Sequence, residues 1–464
     1  MKKSADEWAA TGGERLFLRT WAPEDPRARG GDGLGPVFNA RSCVACHGLA
    51  GPGGGGTNQV NVELLSAVPA RTRGGANLDN AKTRLLDRSP LIAIHPGFAQ
   101  SGSIVLHRFG LAPSYQAWRD FAKDALTPRT QPPDRSGSFS GMLRPPQVGT
   151  TPPPEPPPPP DFRLVVSGRN TPALFGAGLI DAIPGAAIEA EEKRQAGHEV
   201  HGRVSRLKGG RIGRFGWKAQ VPGLEEFVLT ACANEMGLEV PNHHQAADPL
   251  GYGERDRQGL DMSTDECSAL VAYVGSLPSP EEQPSPFSTR GRALFARTGC
   301  ADCHRPDLGG VEGIYSDLLI HDMGFGLSDS GVYYGQEEES SPGVPKSPDW
   351  RTPPLWGVAD SAPYLHDGRA GTLAEAIGFH GGEAQSSAAR YAALPATEKA
   401  TLLGFLRTLK VRKASRFTNR DVRLADEEFL PFVPRSSPVV AEPNWPDLGF
   451  GPRGARMPGA FGMR

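Results

Sequence analysis

Four stretches of the chain place apolar residues along one face of a helix. Thr264-Asp265-Glu266 is a helix-start signal, and Leu270, Val271, Tyr273, Val274 and Leu277 follow at intervals of three and four. Thr397-Glu398 opens a second such stretch, with Leu402, Leu403, Phe405, Leu406 and Leu409. Thr264 to Leu277 aligns with Ala396 to Leu409, each with an acid near its start and one aromatic inside. Upstream, Gly12-Gly13-Glu14-Arg15-Leu16-Phe17 and Gly291-Arg292-Ala293-Leu294-Phe295 form another matched pair of predicted helices. A pattern that recurs in the same order predicts an internal duplication of one helical unit. The boundary falls between Pro278-Ser279-Pro280 and Pro284-Ser285-Pro286.

Between these helices the periodicity fades. Gly51 to Gly56 reads as a flexible loop, and 151–160 is nearly all proline. Such a tract adopts exposed polyproline II structure and serves as a stiff spacer, with partner docking as the alternative. From 411 onward Pro431, Pro434, Pro438, Pro443, Pro446 and Pro452 predict an extended tail. Composition agrees with a loop-rich protein: 58 glycines and 45 prolines among 464 residues, with 38% hydrophobic. That length predicts two or three domains. The formal net charge of -2 gives no reason to expect nucleic acid or an anionic membrane as partner. No apolar run reaches the roughly 20 residues that a membrane-spanning helix needs.

The six cysteines change the picture. Cys43-Val44-Ala45-Cys46-His47 and Cys300-Ala301-Asp302-Cys303-His304 both read C-x-x-C-H, the covalent attachment site of a c-type haem. Two intervening residues let both sulfurs reach the vinyl groups of one porphyrin, and the adjacent imidazole becomes the axial iron ligand. A shared four-cysteine zinc cage is the rival reading. The pairs lie much further apart than the roughly 15–20 residues usual there, and each carries its own histidine. Each motif follows the first helix of its unit and precedes the last. The expected fold is therefore mainly α: two cytochrome c-like haem domains in tandem, at 1–283 and 284–410, with long loop insertions and an extended Pro-rich tail at 411–464. The expected cofactors are two covalently bound haem c groups. Haem is attached to C-x-x-C-H outside the bacterial cytoplasm, so a periplasmic or other extracytoplasmic location is expected. Met1 to Glu7 has no apolar leader, which puts a signal peptide upstream of, or removed from, this sequence. Cys232 and Cys267 remain, as a disulfide or as free buried thiols.

Two further stretches resemble the bacterial di-haem cytochrome c peroxidase and MauG superfamily. Pro363-Tyr364-Leu365-His366-Asp367-Gly368-Arg369, followed by Thr372-Leu373-Ala374-Glu375-Ala376, looks like that family's P-Y-x-H-D-G and T-L-x-E-A. Phe215-Gly216-Trp217-Lys218-Ala219, then Leu224-Glu225-Glu226 and Asn234-Glu235-Met236-Gly237, is similar to F-W-D-G-R-A, L-x-E-Q and N-P-x-E-M-G. The stretch from Gly213 to Ala219 and that from Tyr315 to Gly324 resemble the di-haem oxidoreductase subgroup. Together with both haem motifs the resemblance spans most of residues 12 to 410.

The resemblance implies a reactive first haem and a six-coordinate second haem for electron transfer. The family's usual sixth ligand is a methionine fourteen residues after the histidine of H-D-G; here that position is His380. Two imidazoles favour the ferric state relative to His/Met ligation, so a low potential is expected. Met323 is the rival ligand. His321 and His366 are expected to be supporting histidines. Some relatives block the first haem with a histidine soon after the motif, but Gly48 to Ile94 contains no histidine or methionine. His95 and His107 are the remaining distal candidates, with structural roles as the alternative. By resemblance Glu235 is the catalytic base for peroxide cleavage, and a solvated helix face is the alternative. Trp217 is the candidate bridge between the haems, although strict spacing places Phe215 in that slot. Trp350 and Trp356 are further candidates, and a core role is open for each. A calcium ion between the domains is implied through Asn170 and the carbonyls of Ser361 and Pro363.

These readings predict a di-haem peroxidase or peroxide-dependent oxidoreductase. Hydrogen peroxide is the expected oxidant, and a small redox protein or protein substrate the electron donor. A non-catalytic di-haem electron-transfer cytochrome and a di-haem oxygenase acting on an organic substrate are the alternatives.

Overall fold

The computed structural model describes residues 5–69, 89–124, 162–251, 259–329 and 347–411. The proline tract 151–160 and the tail beyond Val411 lie outside the described residues. In the first part of the chain come α1 (Ala5–Leu18), β1 (Val37–Phe38), α2 (Cys43–Cys46), β2 (Val62–Pro69), α3 (Ser89–Ile94), β3 (Ser103–Val105), β4 (Phe109–Gly110), α4 (Tyr115–Asp124) and β5 (Phe162–Arg169). Then follow α5 (Ala177–Ala182), α6 (Gly185–Gln195), α7 (Leu224–Met236) and α8 (Thr264–Gly275). The remainder holds α9 (Ser288–Arg297), β6 (Ile320–Asp322), β7 (Asp349–Arg351), α10 (Leu373–Gly378), α11 (Gln385–Ala393) and α12 (Ala396–Leu406).

The four predicted helices form, and they pair as α1 with α8 and α9 with α12. The α8 helix starts on a capping box: Ser263 Oγ accepts from Glu266 N, and the Glu266 carboxylate accepts from Ser263 N. Both crossings use a glycine. A Cβ on Gly13 would stand 2.0 Å from Ala269 O and 2.6 Å from Tyr273 Cβ; one on Gly291 would stand 2.3 Å from Phe405 Cβ. Only a residue without a Cβ lets the backbones come this close. Tyr273 and Phe405 are the aligned aromatics of the two units. They pack on Phe17 and Phe295 with ring centroids 5.4 Å and 5.7 Å apart. The duplicated sequence pattern thus produces the same helix crossing twice.

The chain departs from a purely helical plan in the first insertion. There β3, β2 and β5 form an antiparallel sheet in that order, with Val62 opposite Arg169 and Pro69 opposite Phe162. Leu65 and Leu164 pack with Phe98, Tyr115 and Trp118 from the helical segments beside the sheet. The partners β2 and β5 are far apart in sequence. Neither strand shows its pairing locally, which is why periodicity alone read this region as loop. Gly51 to Gly56 is also not a free loop. Gly53 N donates to His47 O, Leu49 N to Gly55 O, and Gly56 N to Thr171 O, so the segment is pinned against the first C-x-x-C-H.

One apolar core gathers Phe17, Trp21, Leu224, Val228, Leu270 and Val274, and continues into Leu308, Ile314, Leu318, Leu319 and Trp356 of the later half. A second gathers Leu294, Phe295, Tyr315, Leu402, Phe405 and Leu406. Among the described residues no helix is long and apolar enough to cross a membrane.

Candidate haem sites

The second C-x-x-C-H begins on Gly299, whose φ of +84° turns the chain out of α9. Thr298 Oγ1 lies 3.3 Å from Cys300 Sγ. His304 Nδ1 lies 3.0 Å from Tyr315 O, and its ring packs 6.4 Å from Phe295. Across the same cavity stands His380, just after α10, with Nδ1 2.7 Å from Ala376 O. Burial pushes His304 down to about 4, with the nearby His380 adding to the shift. Burial lowers His380 as well. Both rings are therefore neutral at pH 7. Their Nδ1–H groups are engaged by main-chain carbonyls, and the Nε2 lone pairs are left for a metal. Cys300, Cys303, Leu402 and Leu406 line this cavity too, as does Met323. Two thiols and two neutral imidazoles around a largely apolar hollow are a donor set that fits a covalently held haem.

Cys303 also touches a polar cluster. His321 Nε2 lies 3.0 Å from Asp317 Oδ2, and its Nδ1 lies 3.0 Å from Glu383 Oε2 and 3.7 Å from Cys303 Sγ. Burial alone would lower His321, but Asp317 outweighs it, and the imidazole is held well above its usual range. Gln195 Nε2 and Leu319 N donate to Asp317. Cys303, Asp317 and His321 are also the one group among the described residues whose donor atoms converge closely enough for a metal ion. The four motif cysteines do not form a shared cage, which removes the zinc reading of the two pairs.

The first motif sits on α2, a single helical turn that Ser42 caps by accepting from Ala45 N. His47 N closes the turn on Cys43 O, and His47 Nδ1 lies 3.1 Å from Pro172 O. Burial lowers His47 to about 4, while the carbonyls of Gly54 and Pro172 act the other way. Burial pushes the Cys43 and Cys46 thiols up to about 12. Glu235, in the last turn of α7, is brought close enough that its charge contributes to the Cys46 shift. Asn39 Nδ2 donates to Glu235 Oε2 at 2.7 Å, Asn39 N donates to Glu235 O, and Arg108 N donates to Asn39 Oδ1. The Arg108 guanidinium feels both Cys46 and Glu235. His107 Nε2 lies 2.8 Å from Asn234 O. His95 is buried against Trp118 and accepts from Gly97 N through Nδ1.

Trp217 lies on the cavity wall and donates from Nε1 to Asn170 O at 2.8 Å. Asn170 and Pro172 thus tie Trp217 and His47 to one short segment. Phe215 lines the same cavity but stacks on Phe227 at 5.5 Å inside the apolar core. Trp350 is stacked on His366 at 3.7 Å, and Trp356 packs beside Gly176. Asn170, Ser361 and Pro363 share the cavity wall. The Asn170 amide donates to Gly56 O and Asn61 Oδ1, and Ser361 Oγ donates to Gly357 O. Cys232 and Cys267 are free, buried thiols on the packed helices α7 and α8. Sequence reasoning missed Asn39, Arg108 and Arg351, because nothing in their neighbourhoods marks them; the fold alone brings them to the sites.

Residues 161–409 match a family model described as "Di-haem oxidoreductase, putative peroxidase". The match spans more than half of the chain, and the chain belongs to this family. Membership carries a di-haem peroxidase-type function and two haem groups. Three solved structures are similar over about half of this chain. The hydrazine synthase of Kuenenia stuttgartiensis is 19% identical, over 52% of this chain and 73% of that one, with a TM-score of 0.31. A MauG-like protein associated with microbial copper homeostasis is 20% identical, over 52% and 88%, with a TM-score of 0.29. The diheme peroxidase BthA of Burkholderia thailandensis is 15% identical, over 51% and 79%, with a TM-score of 0.29. No curated protein matches the chain.

Proposed function

We propose that the protein is an extracytoplasmic di-haem c-type peroxidase. In this reading Cys43, Cys46 and His47 hold the haem at which hydrogen peroxide is activated. Cys300, Cys303, His304 and His380 hold a second, bis-histidine haem that shares electrons or oxidising equivalents with the first. The observation that carries it is that His304 and His380 line one cavity with Cys300 and Cys303, each ring held at Nδ1 by a main-chain carbonyl. A haem held by Cys43, Cys46 and His47 would supply the chemistry that cleaves an O–O bond.

The chain's own residues supply the rest. Glu235, gripped at Oε2 by Asn39, carries the proton from the near to the far oxygen of peroxide. Arg108 adds positive charge beside it. Pro172 O orients the proximal ring of His47. Trp217, bonded to Asn170 O on the wall of the second-haem cavity, is the bridge for electron exchange in this reading. Asn170, with the carbonyls of Ser361 and Pro363, would hold a calcium ion, as oxygen donors suit that ion. The domains are those of the sequence duplication, at 1–283 and 284–410. A small redox protein or protein substrate delivers the electrons.

The test is a resting EPR spectrum joined to peroxide turnover. The expected spectrum has one high-spin ferric signal and one low-spin bis-imidazole signal. Glu235→Gln should lower peroxide turnover roughly 10²–10⁴-fold with both haems retained. Two low-spin signals and no turnover would sink the reading in favour of an electron-transfer cytochrome. Turnover with dioxygen and an organic substrate, without peroxide, would make the protein an oxygenase.

A further inference from the structure

Arg351 is buried on β7, and among the described residues lining the cavity it is the only arginine or lysine. No aspartate or glutamate lines that cavity. Its Nε donates to Gly216 O at 3.0 Å and its Nη1 to Thr352 O at 3.4 Å. These bonds use two of the five N–H groups of a guanidinium, and Nη2 has no partner among the described residues. The other buried cations nearby are already engaged. Arg169 pairs with Asp329 at 2.6 Å, and Lys218 Nζ donates to the carbonyls of Ser347 and Asp349. Asp317 acts on Arg351 through space, without an ion pair, and burial lowers the guanidinium to about 10. A buried guanidinium held without a direct ion pair is costly unless an anion meets its free donors. The fork of free donors suits a carboxylate, which it can hold by two parallel bonds.

We propose that Arg351 is a carboxylate anchor that binds a propionate of the haem held by His304 and His380. The proposal rests on the haem assignment given above. A porphyrin placed between His304 and His380 brings its own carboxylates into a cavity that offers this one unpaired guanidinium. The anchor also has a structural consequence. Arg351 N donates to Trp217 O at 2.9 Å while its Nε holds Gly216 O. Gly216 turns at φ +80°, so the side chain that meets the propionate also fixes the turn carrying Trp217. The position of the bridging aromatic is thereby set against the haem edge.

Holo-protein carrying Arg351→Gln or Arg351→Lys tests this. Haem is counted by pyridine haemochromogen, propionate bending bands are read by resonance Raman, and the two midpoint potentials by spectroelectrochemistry. Arg351→Gln should retain two haems, shift the propionate band of one, and lower the midpoint of the low-spin haem alone, because losing a nearby cation favours the ferric state. Arg351→Lys keeps the charge but not the fork, so it should shift the band and restore most of the midpoint. Should the Gln variant not fold, the Lys variant alone decides: an unshifted band overturns the proposal. It is equally overturned if Arg351→Gln shows wild-type bands and midpoints. A wild-type low-spin spectrum that shifts on adding acetate, with the shift lost in Arg351→Gln, would assign Arg351 to a free carboxylate instead. A wild-type protein with no haem at His304 would break the underlying assignment, a result distinct from all of these.

Discussion

At the scale of single residues, the proposed ligation of the second haem turns on His380. Its Nδ1 contact to Ala376 O holds the ring so that Nε2 faces the cavity shared with His304. Methionine at this position would exchange a strong σ-donor for a thioether, which raises a haem potential. His380→Met should therefore raise the midpoint of the low-spin haem and replace its bis-imidazole EPR signal; an unchanged spectrum would remove His380 from the iron. His321 makes a different prediction. It is clamped by Asp317 and Glu383 beside Cys303 and is held above its ordinary value. A group whose folded pKa is raised stabilises the fold fully below its unfolded value of about 6.5, and that stability is lost as pH rises through the folded value. Asp317, held low by His321 against the opposing effect of burial, acts on the acid side. Its contribution is present above about 3.9 and lost as pH falls through its folded value. Urea midpoints of the holo-protein should thus decline from neutral pH upward, and His321→Gln should flatten that alkaline decline.

At the scale of elements, the two helix crossings are the repeated device. Each lets an N-terminal helix pass over a C-terminal helix at a glycine, with an aromatic from each helix beside it. This places Phe17 beside His47 at 6.5 Å and Phe295 beside His304 at 6.4 Å, so helix packing and the two motif histidines are coupled. Gly291→Ala would put a Cβ 2.3 Å from Phe405 Cβ and 2.9 Å from Thr401 O. The helices must separate to admit it. A loss of roughly 1–3 kcal/mol in unfolding free energy is expected, read from urea midpoints at constant haem content. Wild-type stability in that variant would contradict the packing described here.

At the scale of the whole molecule, the proposed function gives unlike sites to two like helix pairs. One apolar core runs from Phe17 through Leu319 to Trp356, so residues of both halves share it. The single cavity from His380 to Trp217 and Pro172 joins the second site to the segment that supports His47. Replacing Cys43 and Cys46 by serine should halve the haem content and abolish peroxide turnover while the low-spin signal remains. Replacing Cys300 and Cys303 should halve the haem content and remove the low-spin signal instead. Equal effects of the two double variants on turnover and spectrum would deny the division of labour.

The amino-acid sequence alone determined whatever depends on local spacing. The two C-x-x-C-H motifs, the four helices and their duplication were legible because a porphyrin's vinyl groups and a helix's period both demand residues a few positions apart. Motifs of the same kind singled out His380 and Trp217, which the fold brings to one cavity wall, and Glu235, which it brings to Asn39. Tertiary structure decided the rest. The β3-β2-β5 sheet joins strands with no local sign of each other. Asn39 reaches Glu235, and the charge of Arg108 is brought near Cys46, across long sequence separations. Arg351 looked like any charged residue before a proline-rich stretch; only the fold shows it buried beside Trp217 with no ion pair among the described residues. Charge pairing and burial are sums over neighbours from the whole chain, so they become readable only when the chain has closed on itself.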